Sequence, residues 1–203
     1  MRRIEVKSLV AGTLVLAAAF VNACTPVGVA VGAGATVGVA AAEERGVSGA
    51  AADAQIRAEV NHLWFQHDLD MYKSVGLQIY ERRVLLTGYV PTERMRDDAV
   101  RLAWQPGGVR EVINEIRVED GIGLETSARD KWITTQVKSK LMFARGVQAI
   151  NYSTRTVNGT VYLLGLAQSR EELDRVFEVV SNVPHVRKVI SHVLLRDDAR
   201  RYG

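Results

Sequence analysis

The residues able to do chemistry are few and scattered. Four histidines occur, His62, His67, His185 and His192. His62 and His67 stand five apart, so they miss the i, i+4 face on which a helix presents a metal-binding pair. A histidine site would have to draw on both halves of the chain, and no carboxylate–histidine spacing points to one. Surface or turn positions are expected for all four. Asp97-Asp98 and Asp197-Asp198 are adjacent carboxylates, whose side chains diverge in direction and normally just solvate. No nucleophile elbow, phosphate loop or thiolate motif occurs. The chain reads as a binding protein and not an enzyme, with no catalytic residue, no metal ligand and no cofactor.

One residue carries a different chemistry. Arg2, Arg3 and Lys7 form a positive n-region, and Leu9 to Val21 is an apolar run too short for an ordinary transmembrane span. It ends at Val21-Asn22-Ala23-Cys24, which holds the only cysteine in the chain. An apolar residue, then a small one directly before Cys, resembles the lipobox of bacterial lipoproteins, although Asn22 departs from the usual pattern. The resemblance implies cleavage of residues 1–23 and acylation of Cys24, palmitate being one expected chain. Thr25 in place of Asp implies sorting to the outer membrane. With a single thiol, an intramolecular disulfide is excluded.

Removing that signal changes the charge argument. The whole chain has a formal net charge of +3, but residues 24–203 carry 23 basic and 22 acidic side chains, a net +1. A nucleic-acid role thereby loses its main support. Residues 24–50 are rich in Gly and Ala and read as a flexible linker behind the lipidated cysteine. Gly28/Gly32 and Gly34/Gly38 also fit the small-xxx-small pattern of membrane helices, so insertion of this tract stays open.

Local charge matters more. In Asp130 to Arg145, Ile133, Val137, Leu141 and Ala144 share one helix face. Trp132 and Phe143 fall together on a flank away from that stripe, and Lys131 and Lys138 lie on the far side. From Ser127 to Gly146 five basic residues, including Lys140 and Arg145, face one acid, Asp130. Such a helix packs on its own domain and still touches an anionic surface. Packing alone would equally explain a core helix with a solvated charged face.

A second copy of the segment favours the first reading. At an offset of 77 residues, Asp53 aligns with Asp130, Ile56 with Ile133, Val60 with Val137, Val84 with Val161, Gly88 with Gly165 and Ile113 with Ile190. The register holds to the end without a gap, so the chain is a tandem repeat of one small domain, residues 51–122 and 127–197, with a tail at 198–203. The first helix carries Arg57 against Asp53, Glu59 and Asp68, and Gln55 stands where the second has Trp132. Core packing does not require that difference.

Each module reads α-β-β-α-β. Asp53 is expected to cap a helix running to His67, with Ile56, Val60, Leu63 and Trp64 inward. Lys73–Tyr80 and Arg83–Val90 form a hairpin around Glu81-Arg82. Thr92-Glu93 opens a helix to Trp104, Gly107-Gly108 breaks it, and Val109–Val118 is the last strand. The second module repeats this, with Asn158-Gly159 as its hairpin turn. The fold class is α+β, each module a three-stranded sheet packed on two helices.

Two such modules, with V-x-L-x-G at Val84–Gly88 and Val161–Gly165, resemble BON domains. Behind a lipobox, the pair is similar to the DolP-like family of dual BON-domain outer-membrane lipoproteins. That resemblance implies a periplasm-facing, lipid-anchored protein that supports envelope integrity. Its second BON domain would bind anionic phospholipid through its first helix, here Lys131, Trp132, Lys138, Lys140, Phe143 and Arg145. The alternative is a protein–protein adaptor in outer-membrane assembly or cell division, with no direct lipid docking.

Overall fold

The computed structural model of the chain describes residues 42–119 and 124–202, so Cys24, the signal segment and the Gly/Ala tract to residue 41 lie outside it. The first module runs α1 (Gly46–His67), α2 (Leu69–Ser74), β1 (Val75–Tyr80), β2 (Arg83–Val90), α3 (Glu93–Ala103) and β3 (Glu111–Val118). The second runs α4 (Leu124–Phe143), a 3-10 turn at Ala149–Asn151, β4 (Tyr152–Val157), β5 (Thr160–Ala167), α5 (Arg170–Ser181) and β6 (Lys188–Leu195). In each sheet the middle strand pairs antiparallel with the hairpin partner and parallel with the strand that follows the crossover helix. The α+β class with two three-stranded sheets is as expected.

Asp53 does something other than capping. The helix begins at Gly46, and Asp53 is a buried interior residue of it. Its carboxylate accepts the Glu81 N–H at 2.9 Å and the Arg82 N–H at 2.7 Å. Its repeat mate Asp130 accepts from Asn158 and Gly159 at 2.6 and 2.9 Å. Each first helix therefore pins its own hairpin turn with a charge-assisted pair of hydrogen bonds. Both turns need the pin, because both central residues have positive φ. In the first module these are Glu81 and Arg82, at 51° and 64°, neither of them a residue that favours this region.

The glycine of V-x-L-x-G has a local cause. Gly88 and Gly165 have φ of 127° and 150°, and a Cβ on either would overlap the backbone carbonyl of Ser74 or Asn151. The chain entering the hairpin passes too close for any side chain.

Two cores behave as the repeat requires. Ile56, Val60, Trp64, Val84, Leu86, Ala99 and Leu102 fill the first; Ile133, Val137, Leu141, Val161, Leu163, Val176 and Val180 fill the second. A third joins them. Tyr80 and Leu85 from the first sheet meet Tyr162, Leu164, Leu166 and Leu194 from the second, with Ile113 and Ile190 at the edge. Consequently β5 is buried along its whole length, and β2 at seven of eight positions. The sheets pack back to back, and each carries its helices on its outward face.

The contacts around this third core follow the repeat. Gln78 Nε2 donates to Ser153 Oγ at 3.0 Å, while Arg155, the mate of Gln78, lies over Gly76, the mate of Ser153. His192 Nε2 meets Glu115 Oε1 at 3.0 Å, and those two residues are themselves repeat mates. The interface is thus pseudo-twofold, as in an isologous dimer fused into one chain. Residues 42–203 form one unit.

The ends of that unit also differ from expectation. The linker expected to reach residue 50 gives way earlier: Glu44 N–H donates to Asn151 at 2.9 Å and Arg45 pairs with Asp53 at 2.6 Å. The expected tail folds back, with Arg201 holding Glu81 through two nitrogens at 2.9 and 2.6 Å.

Candidate functional site

The α4 helix buries Ile133, Val137 and Leu141 completely and turns the rest of its circumference outward. Asp130, the single acid of the segment, is among the inward residues, with both carboxylate oxygens held by the Asn158-Gly159 turn. What α4 shows to solvent is therefore more positive than its composition.

Trp132 is 44% exposed and Phe143 81% exposed, on the same flank as expected. Met142, which the sequence reading passed over, is 69% exposed beside them. At about 100° per residue these three span the outermost third of the helix surface. The Trp132 ring stands edge-on to His185, 5.8 Å between centroids, at the residue that precedes Val186. His185 has a positive φ of 67°, so that loop is built tightly under the tryptophan.

The six named residues do not form one cluster. Lys140 reaches the Asn182 carbonyl at 3.4 Å, and with Phe143, Arg145 and Arg175 it lines a shallow pocket of about 550 Å³ between α4 and α5. Lys131 and Lys138 turn the opposite way and line a cleft of about 970 Å³ shared with β4 and the first domain. Cations thus stand on both sides of the apolar ridge. Lys140 and Arg145 also sit at the C-terminal end of α4, where positive charge complements the helix dipole.

The same fold repeated 77 residues apart is the observation that decides kinship: the BON domain family model matches residues 52–120 and 129–197. This chain belongs to the BON-domain family. A DolP-like, dual BON-domain architecture is further supported by relatives. The chain is 41% identical to an uncharacterized protein in the gshII 5′ region of Anaplasma centrale, over 73% of this chain and 98% of that one. It is 36% identical to a 21 kDa hemolysin of Actinobacillus pleuropneumoniae, over 73% and 69% of the two chains. It is also 36% identical to the outer membrane lipoprotein DolP of Haemophilus influenzae, over 68% of this chain and 64% of that one.

The first BON domain offers the internal comparison. Two of the three acids counted on its first helix are occupied within the fold: Asp53 pins the hairpin, and Asp68 caps α2 by accepting from Asp70 and Met71. Its contrast with α4 is accordingly a helix without excess charge, and not a strongly acidic one. It does expose apolar groups that the sequence reading missed. Phe65, the repeat mate of Met142, is 59% exposed and stacks edge-on with Tyr72 at 5.7 Å. A side chain one position past the buried Trp64 must point outward, and that signal was available.

The histidines fall at turns and surfaces or into pairs with carboxylates. His67 lies 3.2 Å from Asp98 and His192 3.0 Å from Glu115. Among the described residues no cluster of three or more potential metal ligands is present.

Proposed function

We propose that this BON-domain protein is an outer-membrane lipoprotein, anchored through Cys24 and facing the periplasm. Its second BON domain docks on anionic phospholipid through α4, and the protein supports envelope integrity by binding and not by catalysis. The observation that carries the docking is the exposed ridge of Trp132, Met142 and Phe143 with Lys131 and Lys138 on one side and Lys140 and Arg145 on the other. Aromatic side chains settle at the headgroup level, and each suitably placed cation contributes about 1 kcal/mol at an anionic surface. A lipid on Cys24 would raise the effective concentration of α4 at the bilayer, so weak docking is enough. The similarity to the Haemophilus outer membrane lipoprotein DolP supports the location. Among the described residues no helix is long and apolar enough to cross a membrane.

A second reading has its own observation. The pocket beside Phe143 and Val179 would also take an apolar side chain of a protein partner, as an envelope-assembly adaptor requires. Co-sedimentation with phosphatidylglycerol and with purely zwitterionic vesicles separates the two. Docking predicts binding to the anionic vesicles alone, weakening as salt rises. Trp132→Glu should abolish it while leaving the circular-dichroism melt close to wild type. Binding indifferent to salt and headgroup, or none on a folded protein, would move the assignment to the adaptor.

A further inference from the structure

The cleft on the Lys131 side is more than a gap between two domains. Arg57 and Lys73 of the first BON domain and Lys131, Lys138 and Arg155 of the second all line it, against Asp70, Glu119 and Asp130. Among the described residues no carboxylate lies within ion-pair distance of any of these five cations. Asp130 cannot turn to them, since both its oxygens are held by the hairpin turn.

Arg155 is the least expected of them. Its guanidinium lies against Gly76, where any Cβ would overlap it, so the first domain leaves room for a side chain of the second. Its Nε is buried without a hydrogen-bond partner. Burial holds its pKa below the ordinary arginine value, with the Asp130 charge only partly opposing that. Beside it, Gln78 and Thr154 are 4% and 7% exposed, and the Gln78 Oε1 and Thr154 Oγ1 atoms also lack partners. Buried polar groups are ordinarily paired, and the unpaired Arg155 Nε–H is a donor at the wall of this cleft, whereas Gln78 Oε1 is an acceptor and offers an anion nothing.

We propose that this interdomain cleft binds a phosphate-bearing ligand carrying about two negative charges. The charge follows from five cations facing three carboxylates. Phosphate is the group that guanidinium and ammonium donors converging from two domains bind best. The volume of about 970 Å³ leaves space for a hydroxyl-bearing body beyond the phosphate, against Ser153, Thr135 and Thr156. The site shares Lys131 and Lys138 with the proposed docking face, but Arg57, Lys73 and Arg155 lie away from the Trp132–Phe143 ridge, and binding of a soluble phosphate there needs no membrane.

The test is calorimetric titration of the full chain, held in non-ionic detergent, with inorganic pyrophosphate. Saturable binding is expected, and Lys73→Gln/Lys138→Gln should weaken it by about tenfold or more. Both lysines are exposed, so that variant keeps its fold where Arg155→Gln could loosen the domain contact. Arg94→Gln/Arg170→Gln, which changes two exposed arginines outside the cleft, should bind as wild type does. Absence of saturable binding, or equal loss in both double variants, would overturn the proposal. Phosphatidylglycerol vesicles then identify the source of the phosphate. Displacement of bound vesicles by pyrophosphate assigns the cleft to a lipid headgroup, and simultaneous binding assigns it to a soluble phosphate ester. A protein that ignores vesicles yet binds pyrophosphate refutes the docking reading and keeps this one.

Discussion

Leu164 gives the most direct handle on how the two BON domains are joined. It belongs to the second domain but points away from that domain's helices, into the core shared with Tyr80 and Leu85, and it is completely buried. Truncating a buried leucine to alanine costs about 2–5 kcal/mol, depending on how far the site collapses. Two stacked sheets cannot close readily over the gap, so about 3 kcal/mol is expected for Leu164→Ala. With a urea m value of about 2 kcal/mol per M for a unit of this size, the midpoint falls by about 1.5 M. The informative question is which domain reports the loss. In a Trp104→Phe/Trp132→Phe background, Trp64 remains alone and sits at 1% exposure in the first domain's core. If the third core makes one cooperative unit, Trp64 fluorescence and far-ultraviolet circular dichroism shift together by the full amount. A Trp64 midpoint that stays put while the circular dichroism turns biphasic would refute the fused-unit reasoning.

Other perturbations test the turn pins and the buried phenols. Asp130→Ala removes two charge-assisted hydrogen bonds and strands the Gly159 N–H, so a loss of about 3 kcal/mol is expected in urea titrations. Arg82→Gly should instead stabilise by about 0.5–1 kcal/mol, since glycine adopts the positive φ of 64° without strain; an unchanged or lower urea midpoint would contradict this. Tyr80 and Tyr152 are held neutral, above the ordinary tyrosine value, by burial first and then by the Glu81 and Glu172 carboxylates respectively. Their folded pKa values are raised, so the unfolded chain loses these protons first, and stability should be full below about pH 10 and fall as pH rises beyond it. Tyr152→Phe should flatten that decline in urea midpoints taken between pH 8 and 11.

The repeat made much of the fold legible. An offset of 77 residues placed both cores, both hairpins and the V-x-L-x-G glycines, because these positions answer to forces within one domain. Asp53 was misread for a physical reason: an acid at the start of an apolar period resembles a cap, and its true partners are backbone amides far along the chain. The third core was half visible. Val161 to Ala167 is an unbroken apolar run except for Gly165, and such a run is what a strand buried on both faces requires. Nothing local says what the second face meets. On α4 the core stripe and the Trp132–Phe143 flank were readable from periodicity. That Lys131 and Lys138 share a cleft with Arg155 depended on where the first domain lies.

The back-to-back packing also bears on which surface is left for the membrane. The third core covers the facing sides of the two sheets, and what each domain offers outward is its helix layer. Each layer carries its own exposed apolar groups, and the two first helices border a common cleft through Arg57 of α1 and Lys131 and Lys138 of α4. The choice then rests on charge, because both layers expose apolar groups, Phe65 of α1 with Tyr72 of α2 on one and Trp132 with Phe143 of α4 on the other. Apolar contact alone would not distinguish them. On α1, Arg57 and Glu59 balance once Asp53 and Asp68 are taken up within the fold, whereas α4 from Ser127 onward keeps Lys131, Lys138 and Lys140 with Asp130, the one acid of that stretch, turned inward. An anionic surface attracts the second layer and is indifferent to the first. Under the proposed docking the duplicated domain gains a direction, with α4 and not α1 as the lipid-facing helix.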